Sequence, residues 1–511
     1  MLRVCILFAI SHFIFDTAYS KPSNHNGYFF FIKVHFSSFK SNDTLYSAIV
    51  PTAVNSFYED PTNDYILRKE FRSAVDKYGT AIIRGNMDRP YAYIFLSSEY
   101  NVKAAHYIPL FNLYLIHSGD SLDVSVDTVS GSGNSLSLRD KTKYMFFFTG
   151  KGAARFRWYS ELNYPARAWG GGDKLLGGMP PLINEKGDIN FNSYVCRIWT
   201  ERLKGLERFR GLMTHKEMLI CKADLLGLYF ENLATYLYEY VGKDEKYGYW
   251  TSMQIRKLIY NYSSDIDQYS KGISVNFAMG AYKLESMAYS FLNQCISPAF
   301  YERIKDGYGG ELRDKMMVLF LIQSDGLIGN ENSLVMDALD CVKVSYSKMA
   351  LNSLLARERG MLAYDFILPD ENNRMVSLSS LRGKVVFVDF YFTGCSGCKG
   401  FYRDCLRDVE DTFENNADVQ FVSISVDALR ETWLSTLAKG GYSSFNKRNV
   451  LNLYTGGRGY KHPAIQHYNI NGYPGLLLID KSGRIFGFND LTFNKKSTLI
   501  KDLNKLIEQP N

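Results

Sequence analysis

The sequence predicts a multidomain chain with an N-terminal antiparallel β domain, a helical middle domain and a C-terminal α/β domain built on a mixed sheet. Three observations predict it. Apolar and polar residues alternate up to about residue 155, apolar residues recur every three or four positions from about 193 to 355, and strand-like and helix-like runs alternate after 360. A length of 511 residues is enough for about three domains. A hydrophobic content of 46% can build a core in each. The expected divisions are 1–20, 21–160, 190–357 and 360–511.

The N-terminus starts with Met1-Leu2-Arg3, continues through an apolar stretch over residues 4–15 and reaches Ala18-Tyr19-Ser20 before Lys21. A basic start, a short hydrophobic region and small residues near a cut after Ser20 describe a secretory signal peptide. The alternative is an uncleaved anchor, although the apolar stretch is shorter than the roughly 20 residues a span needs. Cys5 precedes the hydrophobic region, too early for lipoprotein acylation. The mature chain is expected to be soluble, exported and periplasmic, or membrane-associated if the N-terminal segment stays uncleaved.

Net charge is +6, small for this length, and the basic residues are interspersed with acidic ones, so nothing argues for nucleic-acid binding. Aromatic residues make up 15%, including 37 tyrosines, and fall at strand and helix periodicity. Packing explains them.

In the β domain, Ile32-Lys33-Val34-His35-Phe36 and Leu122-Asp123-Val124-Ser125-Val126-Asp127 alternate, Ser130-Gly131-Ser132-Gly133-Asn134 has turn chemistry, and residues 144–148 form a further strand. A sandwich or half-barrel is expected. Residues 169–181 hold Gly170-Gly171-Gly172 and Gly177-Gly178, but no Gly-Lys-Ser/Thr follows, so they read as a loop and not as a phosphate cradle. In the middle domain Leu226, Phe230, Leu233, Leu237 and Tyr240 mark one helix stopped by Gly242, and further helices are expected over 277–292, 311–323 and 333–354. Short polar connections suggest a bundle. No catalytic constellation lies here, and His215 beside Lys216 and Glu217 reads as solvated.

The last domain carries the chemistry. Strands are expected over 385–392, 419–426, 476–479 and 484–488, with helices over 399–413, 431–438 and 495–507. Cys395-Ser396-Gly397-Cys398 falls between the first strand and the first helix. There the first sulfur meets unsatisfied N–H groups at the positive helix end, which favours the thiolate. The second lies one turn on, placed to resolve a mixed disulfide. Half a metal site is the competing reading, but no second CxxC or His/Cys cluster has structural zinc spacing, so no metal or cofactor is expected.

Of 8 cysteines, Cys5 leaves with the signal. The remainder is odd and scattered, which excludes a disulfide-stapled scaffold. Cys196 and Cys221 are a conceivable bridge or buried thiols, and Cys295 and Cys341 stand apart. Cys405 shares an apolar helix stripe with Phe401, Tyr402, Leu406, Val409 and Phe413, so it reads as core.

Four ordered motifs resemble TlpA/ResA-type thioredoxin-like proteins. Ala363-Tyr364-Asp365-Phe366 through Gly383-Lys384 is similar to that family's opening hairpin. Val388-Asp389-Phe390-Tyr391-Phe392-Thr393-Gly394-Cys395-Ser396-Gly397-Cys398 is similar to its active-site strand and motif. Tyr468-Asn469-Ile470-Asn471-Gly472-Tyr473-Pro474-Gly475 resembles the segment holding its cis-proline. The resemblance covers roughly the last 150 residues and implies a thioredoxin-like fold, with Cys395 attacking and Cys398 resolving. It implies that Pro474 is a cis-proline facing the disulfide, that Tyr473 offers its backbone to a substrate chain, and that Asp389 is a buried acid able to take a proton from Cys398.

The usual tryptophan before the first cysteine is Gly394 here, and the proline often found inside the motif is Gly397. Phe-Thr-Gly-Cys, Thr455-Gly456-Gly457 and His462-Pro463 look like multidomain exported proteins of Bacteroidetes. His462 and His467 read as loop and helix surface residues rather than ligands. The expected function is an exported thiol–disulfide oxidoreductase, more a reductase than an oxidant. It would act on client proteins with disulfides and be recharged by a membrane electron donor of the DsbD/CcdA type. The alternatives are a thiol peroxidase, faintly suggested by Thr393 two residues before Cys395, and a non-enzymatic binding or scaffold protein dominated by its first two domains.

Overall fold

In the first of two compact units, strand periodicity becomes two four-stranded sheets. The computed structural model describes residues 27–37, 44–50, 69–98, 108–128, 144–163, 194–241, 245–293, 297–324, 331–468, 470 and 472–509. The expected signal peptide, the turn at 130–134, the glycine-rich loop at 169–181, the side chain of Cys196 and Cys295 lie outside the described residues.

The strands are β1 (Tyr28–Phe36), β2 (Thr44–Val50), β3 (Lys69–Ala74), β4 (Thr80–Met87), β5 (Tyr91–Ser98), β6 (Ile108–His117), β7 (Ser121–Thr128) and β8 (Tyr144–Lys151). One sheet runs β4-β1-β7-β8 and the other β3-β2-β5-β6. Ile32, Val34 and Phe36 on β1 are buried, as are Leu122, Val124 and Val126 on β7, each set following the two-residue repeat. The pairs β1–β4, β7–β8, β2–β5 and β5–β6 are antiparallel, whereas β1 and β7 run parallel, so the β domain departs from a purely antiparallel pattern at that pair. Asp120 and Arg155, both buried, form an ion pair that ties α1 (Ala153–Asn163) to the β6–β7 turn.

The second compact unit holds the helices and the last domain together. Its helices are α2 (Tyr194–Glu207), α3 (His215–Val241), α4 (Glu245–Ser263), α5 (Gln268–Ile273), α6 (Val275–Asn293), α7 (Pro298–Gly307), α8 (Gly310–Gln323), α9 (Glu331–Cys341) and α10 (Ser345–Leu355). Leu226, Phe230, Leu233 and Leu237 are fully buried, which makes the expected stripe the core face of α3. Helices α3 and α6 approach closely because glycines meet. A Cβ on Gly280 would fall 2.1 Å from the carbonyl oxygen of Gly227. The single helix expected over 333–354 is two. Between them Asp314 on α8 accepts the N–H groups of Lys343 and Val344, at 2.8 and 3.2 Å, and so caps the start of α10.

The last domain comprises β9 (Ile367–Pro369), β10 (Met375–Ser377), β11 (Val385–Tyr391), α11 (Ser396–Phe401), α12 (Arg407–Thr412), β12 (Val419–Ser425), α13 (Arg430–Lys439), β13 (Val450–Tyr454), α14 (Pro463–Tyr468), β14 (Gly475–Ile479), β15 (Ile485–Phe488) and α15 (Lys496–Ile507). One π-helical turn, Tyr402–Leu406, joins α11 to α12. The sheet order is β13-β12-β11-β14-β15, with β11, β12 and β13 parallel and β14 and β15 antiparallel. Right-handed crossovers put α11, α12 and α13 on one face. Val385 and Phe387 pack there with Phe401, Leu406, Val409, Leu499 and Leu503. Val386, Val388 and Phe390 face the other way, under the β9–β10 hairpin and α14.

Candidate active site

Strand β11 is buried along its whole length and delivers the chain to the CxxC motif at its C-terminal end. Gly394 makes the turn with φ +100°, a conformation that favours glycine. Aromatic cover comes from Trp433 on α13, fully buried and stacked on Tyr454 at 5.1 Å. Both rings join Tyr391, Leu437 and the two cysteines in one cluster.

Cys395 and Cys398 form a disulfide. Cys395 is the N-cap of α11, and its Sγ accepts the backbone N–H of Cys398 at 3.0 Å. That donor remains in place for a thiolate after reduction, adding to the helix dipole's preference for negative charge. The second cysteine is the more buried residue: Cys398 is 3% exposed against 7% for Cys395. The peptide bond Tyr473–Pro474 is cis, and the carbonyl oxygen of Tyr473 lies 3.7 Å from Cys395 Sγ. The loop passes so close that a Cβ on Gly397 would lie 3.4 Å from that oxygen.

Asp389 shares its sheet face with Val385, Phe387 and Tyr391, by the two-residue repeat of β11. The CxxC helix packs on this face. Asp389 is buried and accepts a hydrogen bond from Ser423 Oγ at 2.5 Å. Burial pushes its carboxyl up to about 8, against the opposing effect of that hydrogen bond. Among the described residues no hydrogen bond joins Asp389 to either sulfur. A proton passing between them would use an intervening water, a route open to a general base.

The other candidates sort themselves by their contacts. Thr393 donates its hydroxyl to Asp427 at 2.8 Å, while its N–H also binds that carboxylate. Cys405 is buried with its thiol pushed up to about 11 by that burial, a core residue as its stripe implied. The two histidines are not surface residues. His462 is buried and its Nδ1 accepts the N–H of Ala464 at 3.2 Å, starting α14, while His467 is half-buried against the ring of Tyr364 at 4.8 Å. Among the described residues no group of three or more His, Cys, Asp or Glu converges as metal ligands would.

Two contributors had little signal in the sequence. Trp433 is distant in the chain from the cysteines it covers. Tyr442, in the loop after α13, stacks on Tyr391 at 5.6 Å and its hydroxyl accepts the N–H of Gly394 at 3.0 Å. Both hold the turn that presents Cys395.

A disulfide capping a helix at the end of a central strand, opposite a cis-proline, defines a thioredoxin-like domain of the thiol–disulfide oxidoreductase class. Residues 383–485 match the family model described as thioredoxin-like, so the C-terminal domain is a thioredoxin-like domain, as the TlpA/ResA resemblance implies. No curated protein matches the chain. Among solved structures, the thioredoxin domain of a thiol-disulfide oxidoreductase from Bacteroides vulgatus is 24% identical, with 29% of this chain and 99% of that one covered, at a TM-score of 0.25. A thiol:disulfide interchange protein from a Bacteroides species is 25% identical over 29% of this chain and 92% of that one, with a TM-score of 0.25. A thiol-disulfide oxidoreductase from Bacteroides fragilis is 21% identical over 28% and 98%, with a TM-score of 0.24.

Proposed function

We propose that the chain is an exported thiol–disulfide oxidoreductase that works as a reductase on disulfides of client proteins. The observation that carries this reading is the Cys395–Cys398 disulfide at the start of α11, with the Tyr473 carbonyl beside the outer sulfur.

The reaction balances within the dithiol and the client. Cys395 thiolate attacks one client sulfur, the client S–S bond breaks, and the departing client thiolate takes a proton from solvent. A mixed disulfide remains. Cys398 gives its proton to Asp389 and attacks Cys395 Sγ, the intermolecular bond breaks, and the second client sulfur leaves as a thiolate. The client has gained two electrons and the chain holds its disulfide again. A donor of the membrane-bound DsbD/CcdA type fits the recharging step, and a periplasmic setting fits the N-terminal sequence. No described helix is long and apolar enough to cross a membrane.

The thiol peroxidase alternative drew on the shared fold and on Thr393, whose hydroxyl here bonds Asp427. Cys398→Ser tests the proposal. The reduced variant is expected to accumulate mixed disulfides between Cys395 and protein clients, visible by mass spectrometry and released by a dithiol. Rapid consumption of hydrogen peroxide with sulfenic acid on Cys395, and no trapped client, would support the peroxidase instead.

A further inference from the structure

A row of polar side chains crosses the sheet beneath the CxxC helix. Asp389 on β11 is in register with Ser423 on β12, and Ser423 with Asn452 on β13. All three are buried. Asn452 donates to the carbonyl of Ser444 at 2.9 Å and accepts from Ser443 Oγ at 2.6 Å. The hydroxyl of Ser444 then bonds Glu410 on α12. Glu410 is fully buried, and its Oε1 has no hydrogen-bond partner among the described residues. At the outer end Lys447 lies 3.7 Å from Glu410, with 19% of its side chain exposed.

We propose that Glu410 is a second proton-holding group of the redox site, a positioning residue coupled by its charge to Asp389 across this buried polar layer, with Lys447 linking it to solvent. The inference rests on the dithiol-exchange reading above. Two carboxyls on one buried face cannot both ionise cheaply, so each governs the other's proton. Burial, opposed by Ser444 and Lys447, holds the Glu410 carboxyl up at about 7, and Glu410 in turn raises Asp389. The other groups facing Glu410 are accounted for. Asp411 on its own helix pairs with Lys447, Tyr402 shares the Ser444 hydroxyl at 2.8 Å, and Lys496 on α15 pairs with Asp408 at 2.8 Å.

The test reads the carboxyl carbon of Asp389 by NMR in the full oxidised chain, carrying [4-13C]aspartate and assigned with Asp389→Asn. Glu410→Gln keeps the bond to Ser444 but removes the charge, and is expected to lower the Asp389 midpoint by about one pH unit. Lys447→Met removes the cation that favours ionised Glu410, and is expected to lower the Asp389 midpoint as well. A residue that merely tethers the loop would change the melting temperature and leave the Asp389 midpoint alone. An unchanged midpoint in a folded Glu410→Gln chain would overturn the coupling. If that variant does not fold, an unchanged midpoint in Lys447→Met would do so. The titration involves no turnover, so it can fail while the wild-type chain still reduces client disulfides, and it can hold if the chain reduces none.

Discussion

Cys395→Ser is expected to lower disulfide reduction by about a thousandfold or more, measured as insulin precipitation with a dithiol reductant. The size of the effect follows from the geometry. Only Cys395 caps α11, holds the Cys398 N–H at 3.0 Å and lies beside the Tyr473 carbonyl, whereas Cys398 is tucked beneath. A serine hydroxyl is no substitute, since it neither ionises at neutral pH nor forms a mixed disulfide. Cys398 then remains as a buried thiol without the approach that a client needs. Turnover unchanged in this variant would remove the site from the reaction altogether.

Asp389→Asn is expected to act on rate and stability in opposite directions. In the proposed exchange its carboxylate is the base for Cys398, so the variant should lose about a hundredfold in turnover at pH 8 and lose the rise in rate that accompanies ionisation near that pH. For stability, burial raises the folded carboxyl to about 8, far above the ordinary carboxylate range. The folded chain therefore holds a proton that the unfolded chain releases. The stability this contributes is complete below about pH 4 and is lost as pH rises through 8. Asparagine carries no such dependence, so the variant should gain stability relative to the wild type as pH rises from 4 to 9, measured by urea unfolding. Equal pH dependence in both proteins would show that Asp389 is not a buried acid.

How far these features were legible in the sequence depended on how local their causes are. The strand, the CxxC and the helix that follow one another are set by neighbouring residues, and so is the apolar stripe from Phe401 to Phe413, all of which is buried. Strand β13 is not legible locally because buried Asn452 interrupts its apolar run, and that asparagine binds a loop from across the fold. Glu410 looks like the solvent side of an amphipathic helix. Only the loop carrying Ser444 and Lys447, folded over it, makes it interior. The break before Ser345 is likewise invisible locally, since the capping carboxylate comes from Asp314 on another helix. The burial of His462 and His467 has the same origin: tertiary partners, not sequence neighbours, cover them.

The direction of electron flow is the centre of the account, and the reduction potential of the Cys395–Cys398 pair tests it most directly. The full chain equilibrated against graded thiol–disulfide buffers is expected to titrate near about −270 mV, as a reductase requires. A value near about −120 mV would mark an oxidant and contradict the proposed function.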